Sequence, residues 1–182
     1  MATKGKVTGV IANMVLLAVD GPVAQNEICY ISTGGDRLMA EVIKINGAKV
    51  YVQVFESTRR LKIGEEAVFT GHMLEVSLAP GMLSKNYDGL QNDLDKMEGV
   101  FLKRGDYTNP LDEDKLWAFE PIVKAGDKVD AAAWLGKVEE NNQPLKIMAP
   151  FSLEGEWTVK SIVAAGEYKI TDTIAVLVNA EG

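Results

Sequence analysis

The stretch Arg37-Leu38-Met39-Ala40-Glu41-Val42-Ile43-Lys44-Ile45-Asn46-Gly47-Ala48-Lys49-Val50-Tyr51-Val52-Gln53-Val54-Phe55 reads as two strands joined by a tight turn. Apolar, alternating runs flank Ile45-Asn46-Gly47-Ala48, and Asn46-Gly47 offers the positive φ angles that a type I′ hairpin turn needs. In the second run Val50, Val52 and Val54 share one face while Tyr51, Gln53 and Phe55 share the other. That period of two marks a strand with one side buried.

Working outward, the same grammar continues. Val7 to Val19 is rich in β-branched and aliphatic residues, reads as a first strand and is stopped by Asp20-Gly21-Pro22. Glu27 to Ile31 reads as a second strand, closed by Ser32-Thr33-Gly34-Gly35. Ala67 to Thr70 and Leu74 to Leu78 fit further short strands, set off by Gly64 and Gly71. Five or six short strands at this spacing predict a small antiparallel barrel over residues 1–80, and closure removes the sheet edges that otherwise invite aggregation.

The pattern changes at Ala79-Pro80-Gly81. Leu90, Leu94 and Met97 recur at helical spacing, with Asp88 placed as an N-cap and Gly99 as the stop, which predicts one short helix. Lys103 to Leu116 is polar and turn-rich and reads as a connector, so residues 81–116 form a helix-and-linker region. From Trp117 strands return. Val129 to Val138, Leu145 to Met148, Trp157 to Val163 and Ile174 to Val178 are punctuated by Gly126-Asp127, Gly155-Glu156 and Gly166-Glu167. Glu139 to Gln143 reads as the tip of a hairpin. The prediction is a mainly β chain: a barrel, a short helix, and a second compact β domain over 117–182.

Composition narrows the function classes. The chain has 182 residues, 47% of them apolar and 25% charged, the balance of a folded domain. A net charge of −7 opposes a nucleic-acid face, which carries a basic surplus. Cys29 is the single cysteine, so no intrachain disulfide can form, in keeping with a reducing cytoplasmic compartment. The longest apolar run, Met14 to Val19, is far short of the roughly 20 residues that cross a bilayer, so no membrane insertion is expected.

A P-loop needs G-x-x-x-x-G-K-[ST]. Gly-Lys occurs at Gly5-Lys6 and Gly136-Lys137, each followed by valine and lacking the upstream glycine. No two glycines stand as G-x-G, which removes the dinucleotide fingerprint. His72, the single histidine, reads as a surface turn residue, and Cys29 as a small buried hydrophobe. The acidic runs Asp93, Asp95, Glu98 and Asp112, Glu113, Asp114 read as solvated faces. No catalytic, cofactor-binding or metal residue is assigned. Lys146-Ile147-Met148-Ala149-Pro150 is similar to the lysine segment of biotinyl and lipoyl carrier domains. A carrier lysine must sit on an exposed tip, however, and Lys146 falls on a strand beyond the tip at Glu139 to Gln143. A carrier domain and a small-molecule or oligonucleotide-binding barrel are the competing readings.

Together the segments resemble a known family. Gly35 to Ile45, Val50 to Glu56 and Leu61-Lys62-Ile63-Gly64-Glu65 look like the N-terminal barrel of the catalytic A (alpha) subunit of V-type and archaeal A-type ATPases. Leu74 to Leu83 and Tyr87-Asp88-Gly89-Leu90-Gln91 resemble the family's segment C-terminal to that barrel. Phe101 to Gly105, Val123 to Val129, Trp134 to Val138 and Gly166 to Ile174 look like the family's inserted bulge domain. The sequence departs from the pattern at Ala131-Ala132-Ala133-Trp134, where members often carry glycine. It also departs near Leu145, where they often carry histidine. The resemblance implies a non-catalytic region of a rotary ATPase or ATP synthase. Its barrel would join neighbouring A and B subunits in the A3B3 hexamer, and its bulge would meet the peripheral stalk, on the cytoplasmic side of a membrane-bound complex. It further implies that ATP and Mg²⁺ belong to a nucleotide-binding domain that this chain stops short of.

Overall fold

In a computed structural model the structure describes residues 2–97, 104–105 and 107–179. The chain forms two compact units, Met1–Val76 with Lys96–Thr108, and Ser77–Asp95 with Asn109–Gly182.

The first unit is a closed antiparallel barrel. Its strands are β1 (Lys4–Ile11), β2 (Met14–Val19), β3 (Ile28–Thr33), β4 (Asp36–Asn46), β5 (Lys49–Val54) and β6 (Glu66–Phe69), in the order β1-β2-β5-β4-β3-β6. The short β6 closes the ring by pairing with both β1 and β3. The alternation read from the sequence holds. Val50, Val52 and Val54 are buried in the barrel with Val15, Leu17, Ile31, Leu38, Val42 and Phe69, while Gln53 and Phe55 face out. On β4 the alternation lapses, and Leu38, Met39 and Ala40 are all buried. The outer side there is covered by Tyr107, whose hydroxyl accepts from the Met39 N–H at 2.9 Å and whose ring meets Tyr30 edge-on. Burial pushes the Tyr107 hydroxyl well above its usual pKa.

Several local expectations are corrected. Val7 to Val19 is not one strand but the β1–β2 hairpin, turned at Ala12-Asn13 with Ala12 at φ 54°. The β4–β5 loop is Gly47-Ala48 rather than Asn46-Gly47, because Asn46 still pairs with Lys49. Only Gly47 has positive φ, at 58°, the pattern of a type II′ turn. Leu74 to Leu78 forms no strand. With β6 already pairing on both edges the barrel has no free edge to offer it, and Leu74, Val76 and Leu78 stay exposed. The predicted helix from Asp88 is absent, and the only helical residues described there are a 3-10 turn, Leu94–Lys96. The Asp88 carboxylate does accept the Leu90 and Asn92 N–H groups at 2.8 Å. The backbone then reverses at Gln91, φ 61°, and that left-handed residue ends any helix before its second turn. Gly99, the predicted stop, lies outside the described residues, as do Lys103 and Asp106 of the predicted connector.

The second unit has two sheets. β7 (Trp117–Pro121), β9 (Trp134–Glu140), β10 (Gln143–Met148) and β12 (Gly166–Tyr168) form one, in the order β10-β9-β7-β12. β8 (Lys128–Val129), β11 (Trp157–Ile162) and β13 (Ala175–Val178) form the other, in the order β13-β11-β8. Two apolar clusters fill the unit: Val129, Leu135, Ala149 and Val159, and Trp117, Phe119 and Val138, with Ile162 packed against both. The run Val129 to Val138 is broken after β8 by a turn with Ala132 at φ 61°. The predicted tip at Glu139 to Gln143 shrinks to Asn141-Asn142, since Glu140 and Gln143 still pair. Both asparagines have positive φ, so the type I′ pattern expected at Asn46-Gly47 occurs here instead. Asparagine tolerates the left-handed region better than other side chains, which is why the turn can form without glycine.

Candidate functional site

The fold gives each residue singled out in the sequence a definite environment. Cys29 is fully buried on β3, and burial, then the nearby Glu27 charge, push its thiol up to about 12. It is a packing residue, inert as a nucleophile while the barrel is folded. His72 is exposed, with Nδ1 2.9 Å from the Met73 carbonyl and 3.7 Å from the Glu75 carboxylate. Asp112, Glu113 and Asp114 face solvent, and Asp114 is held below the usual carboxylate range by its hydrogen bond and ion pair with Lys169 at 2.7 Å.

Asp93 overturns the solvated-face reading: it is fully buried. Its carboxylate accepts from the Lys85 ammonium at 3.1 Å and from the Asp95 N–H at 3.1 Å. A buried charge is tolerated where such partners replace its water. It belongs to a polar framework that shapes residues 77–95. Gln91 bonds both the N–H and the carbonyl of Ser77, acting as a substitute strand, and the Tyr87 hydroxyl donates to the Pro110 carbonyl. The buried Glu140 on β9 accepts from the N–H groups of Gly81 and Leu83 at 2.9 and 3.0 Å. The sequence concealed Glu140 inside a polar run, and only the fold shows that it holds a loop far away along the chain. Glu98 lies outside the described residues.

Lys146 is mid-strand on β10, with its ammonium 3.1 Å from the centre of the Trp134 ring. Among the described residues no group of three or more His, Cys, Asp or Glu is arranged to hold a metal ion. The glycine-lysine spacing of a phosphate loop is missing as well. No helix among the described residues is long and apolar enough to cross a membrane.

What the chain does present is surface. On the barrel, inward Val15 and Leu17 leave Met14 and Leu16 of β2 facing out, and the register sets Ile11 beside Met14 and Tyr51 beside Leu16. Ile11 is 75% exposed and Met14 40%. Ile11, Met14, Leu16 and Tyr51 thus form a neighbouring group of apolar side chains on the outer side of the barrel.

A closed barrel joined to a two-sheet unit is the architecture that two family models recognise. Residues 7–71 match the β-barrel domain of the ATP synthase alpha/beta family, and residues 108–182 match the ATP synthase alpha/beta subunit barrel-sandwich domain. The chain belongs to that family by both of its domains. Within the family its relatives are V-type ATP synthase alpha chains. It is 45% identical to that of Borrelia hermsii over 100% of this chain and 32% of the relative, and 42% identical to that of Treponema denticola over 99% and 31%. The Borreliella burgdorferi protein of the same name is 43% identical. The chain thus corresponds to the N-terminal part of an ATP synthase A subunit and spans about a third of the length of the curated relatives it matches.

Proposed function

We propose that this chain is the non-catalytic assembly region of the A subunit of an ion-translocating V/A-type rotary ATPase or ATP synthase. The barrel packs against the barrels of neighbouring B subunits in an A3B3 hexamer, and the second unit meets the peripheral stalk. The complete subunit binds ATP and Mg²⁺ in sequence other than this and works as a peripheral part of a membrane-bound complex. The observation that carries the reading is the outer row of Ile11, Met14, Leu16 and Tyr51 on a barrel whose interior is already full. A closed sheet has no edge with which to recruit a partner, so association has to use side chains on its outer face.

Fully burying one such aliphatic side chain is worth about 1.5–3 kcal/mol. The double variant Ile11→Glu, Met14→Glu in the full-length subunit is expected to keep the barrel folded and to weaken hexamer formation, followed by native mass spectrometry of A and B subunits. Hexamers that form at unchanged subunit concentration would count against the barrel as the contact.

A further inference from the structure

The outer face of the β10-β9-β7 sheet carries a charged row beside an apolar one. Leu145, Ile147, Val138 and Phe119 point into the core, so the intervening residues of the same strands point out. Register then sets them in rows across the strands. Glu120 lies opposite Lys137, and Lys137 opposite Lys146. Beside that charged row, Met148 pairs with Trp134, and Ile122, just past β7, donates its N–H to the Leu135 carbonyl at the same end of the face. Trp134 is 50% exposed, Met148 40%, Ile122 52%, and Phe151, three residues beyond Met148, 75%.

The charges on this face are unequally served. Two lysines directly opposite one another on a sheet repel. Lys137 is compensated by Glu120 at 2.7 Å, whereas Lys146 lies over the Trp134 indole, and among the described residues no carboxylate forms an ion pair with it. The face therefore offers a tryptophan with apolar neighbours, the composition of an interface centre, beside a cation with no ion-pair partner among the described residues.

We propose that this face of the second unit is a docking surface for another subunit of the complex, one presenting an apolar segment with a carboxylate that pairs with Lys146 beside Trp134. The assignment rests on the assembly reading above and deepens it by giving the contact a place and a chemistry. Charge complementarity selects the occupant: a purely apolar segment would bury the Lys146 ammonium without a partner, and a basic one would add a third cation.

The test uses the full-length subunit, alone and in the complete complex purified from its own cells. Lys146 is acetylated under limiting reagent, and a carbodiimide joins its amine to any adjacent carboxylate, both read by peptide mass spectrometry. The expected results are acetylation slowed by about tenfold or more in the complex, and a Lys146 cross-link to an Asp or Glu of a different subunit. Lys146→Glu should weaken that subunit's binding by about tenfold or more, Lys146→Arg should preserve most of it, and both should keep the far-ultraviolet circular dichroism of the parent subunit.

Equal acetylation in the two states would overturn the inference, as would protection already complete in the isolated subunit. A cross-link confined to this chain or to a second copy of it would do the same. Hexamers that assemble normally while Lys146 stays reactive would remove this inference alone. Failure of the subunit to enter hexamers at all would remove the reading beneath it too.

Discussion

Gly136 is the position where adding a single methyl group should do most damage. It lies on β9 opposite Pro121 of β7, and a Cβ built there runs into the edge of the Phe119 ring and comes within 2.8 Å of the Glu120 carbonyl oxygen. The Phe119 ring is 2% exposed, packs with Trp117 and Val138, and meets Tyr168 edge-on at 6.2 Å. The Gly136→Ala chain has two ways to relieve the overlap. Expelling the ring forfeits a buried phenylalanine, about 3–5 kcal/mol. Parting β7 from β9 while keeping the ring is an overpacking distortion of about 1–3 kcal/mol. The cheaper route sets the expectation, but the backbone oxygen cannot rotate away, so the cost should fall near the top of that range, about 2–3 kcal/mol.

The chain carries its own reporter for this. Its three tryptophans, Trp117, Trp134 and Trp157, all lie in the second unit, so urea unfolding followed by tryptophan emission reads that unit alone. Gly126→Ala is a useful comparison, because Gly126 has φ 93° but open space around its Cβ, so it tests backbone strain without a clash. The reasoning fails if Gly136→Ala unfolds within about 0.5 kcal/mol of the parent chain, the range of an ordinary surface substitution. It fails equally if Gly136→Ala and Gly126→Ala cannot be told apart.

Other expectations rest on single contacts. The Cys29 thiol, raised from 9.0 to about 12, should resist alkylation at pH 8 until the barrel unfolds; alkylation of the native chain as fast as a free thiol would refute its burial. Because that pKa is raised on folding, its contribution to stability is complete below about 9 and is lost as pH climbs through about 12, which unfolding curves at alkaline pH can follow. Glu140→Ala should leave the Gly81 and Leu83 N–H groups without their acceptor at a net cost of about 1–3 kcal/mol, whereas Glu140→Gln keeps an acceptor and much of the stability; hydrogen exchange at Gly81 and Leu83 would separate the two variants. Lys169→Ala should let the Asp114 carboxyl titrate higher, and since the pair depresses that pKa, its stabilisation is present at neutral pH and fades as the solution becomes acid. An NMR titration that leaves Asp114 unmoved would dismiss the pair as a solution feature.

Much of the fold was legible because strand periodicity depends on near neighbours in the chain. Val50, Val52 and Val54 announce one buried face whatever surrounds them, and the glycines around Gly34 and Gly47 announce reversals. Local errors arose where a distant partner made the decision. Whether Leu74 to Leu78 pairs depends on whether the barrel has a free edge, and β6 had already used both. Whether Asp88 starts a helix depends on the backbone reversal at Gln91 and on the bonds from Gln91 back to Ser77. Asp93 looks like a member of a solvated acidic run and Glu140 like part of a polar hairpin tip, and only the packed chain shows that one is buried against Lys85 and the other holds the Gly81–Leu83 loop.

Residue order alone established a mainly β chain with a barrel, and the resemblance of its segments to the A subunit of V- and A-type ATPases. Both rest on identity and spacing along the chain, which survive without coordinates. Three things waited for the packed molecule: which carboxylates are buried, where the turns fall to the residue, and which side chains meet on the outer faces. They had to wait because register converts positions far apart in sequence into neighbours. Trp134, Lys137, Lys146 and Met148 become a surface only when β9 and β10 pair one way, and a shift of one residue would turn that surface into the core.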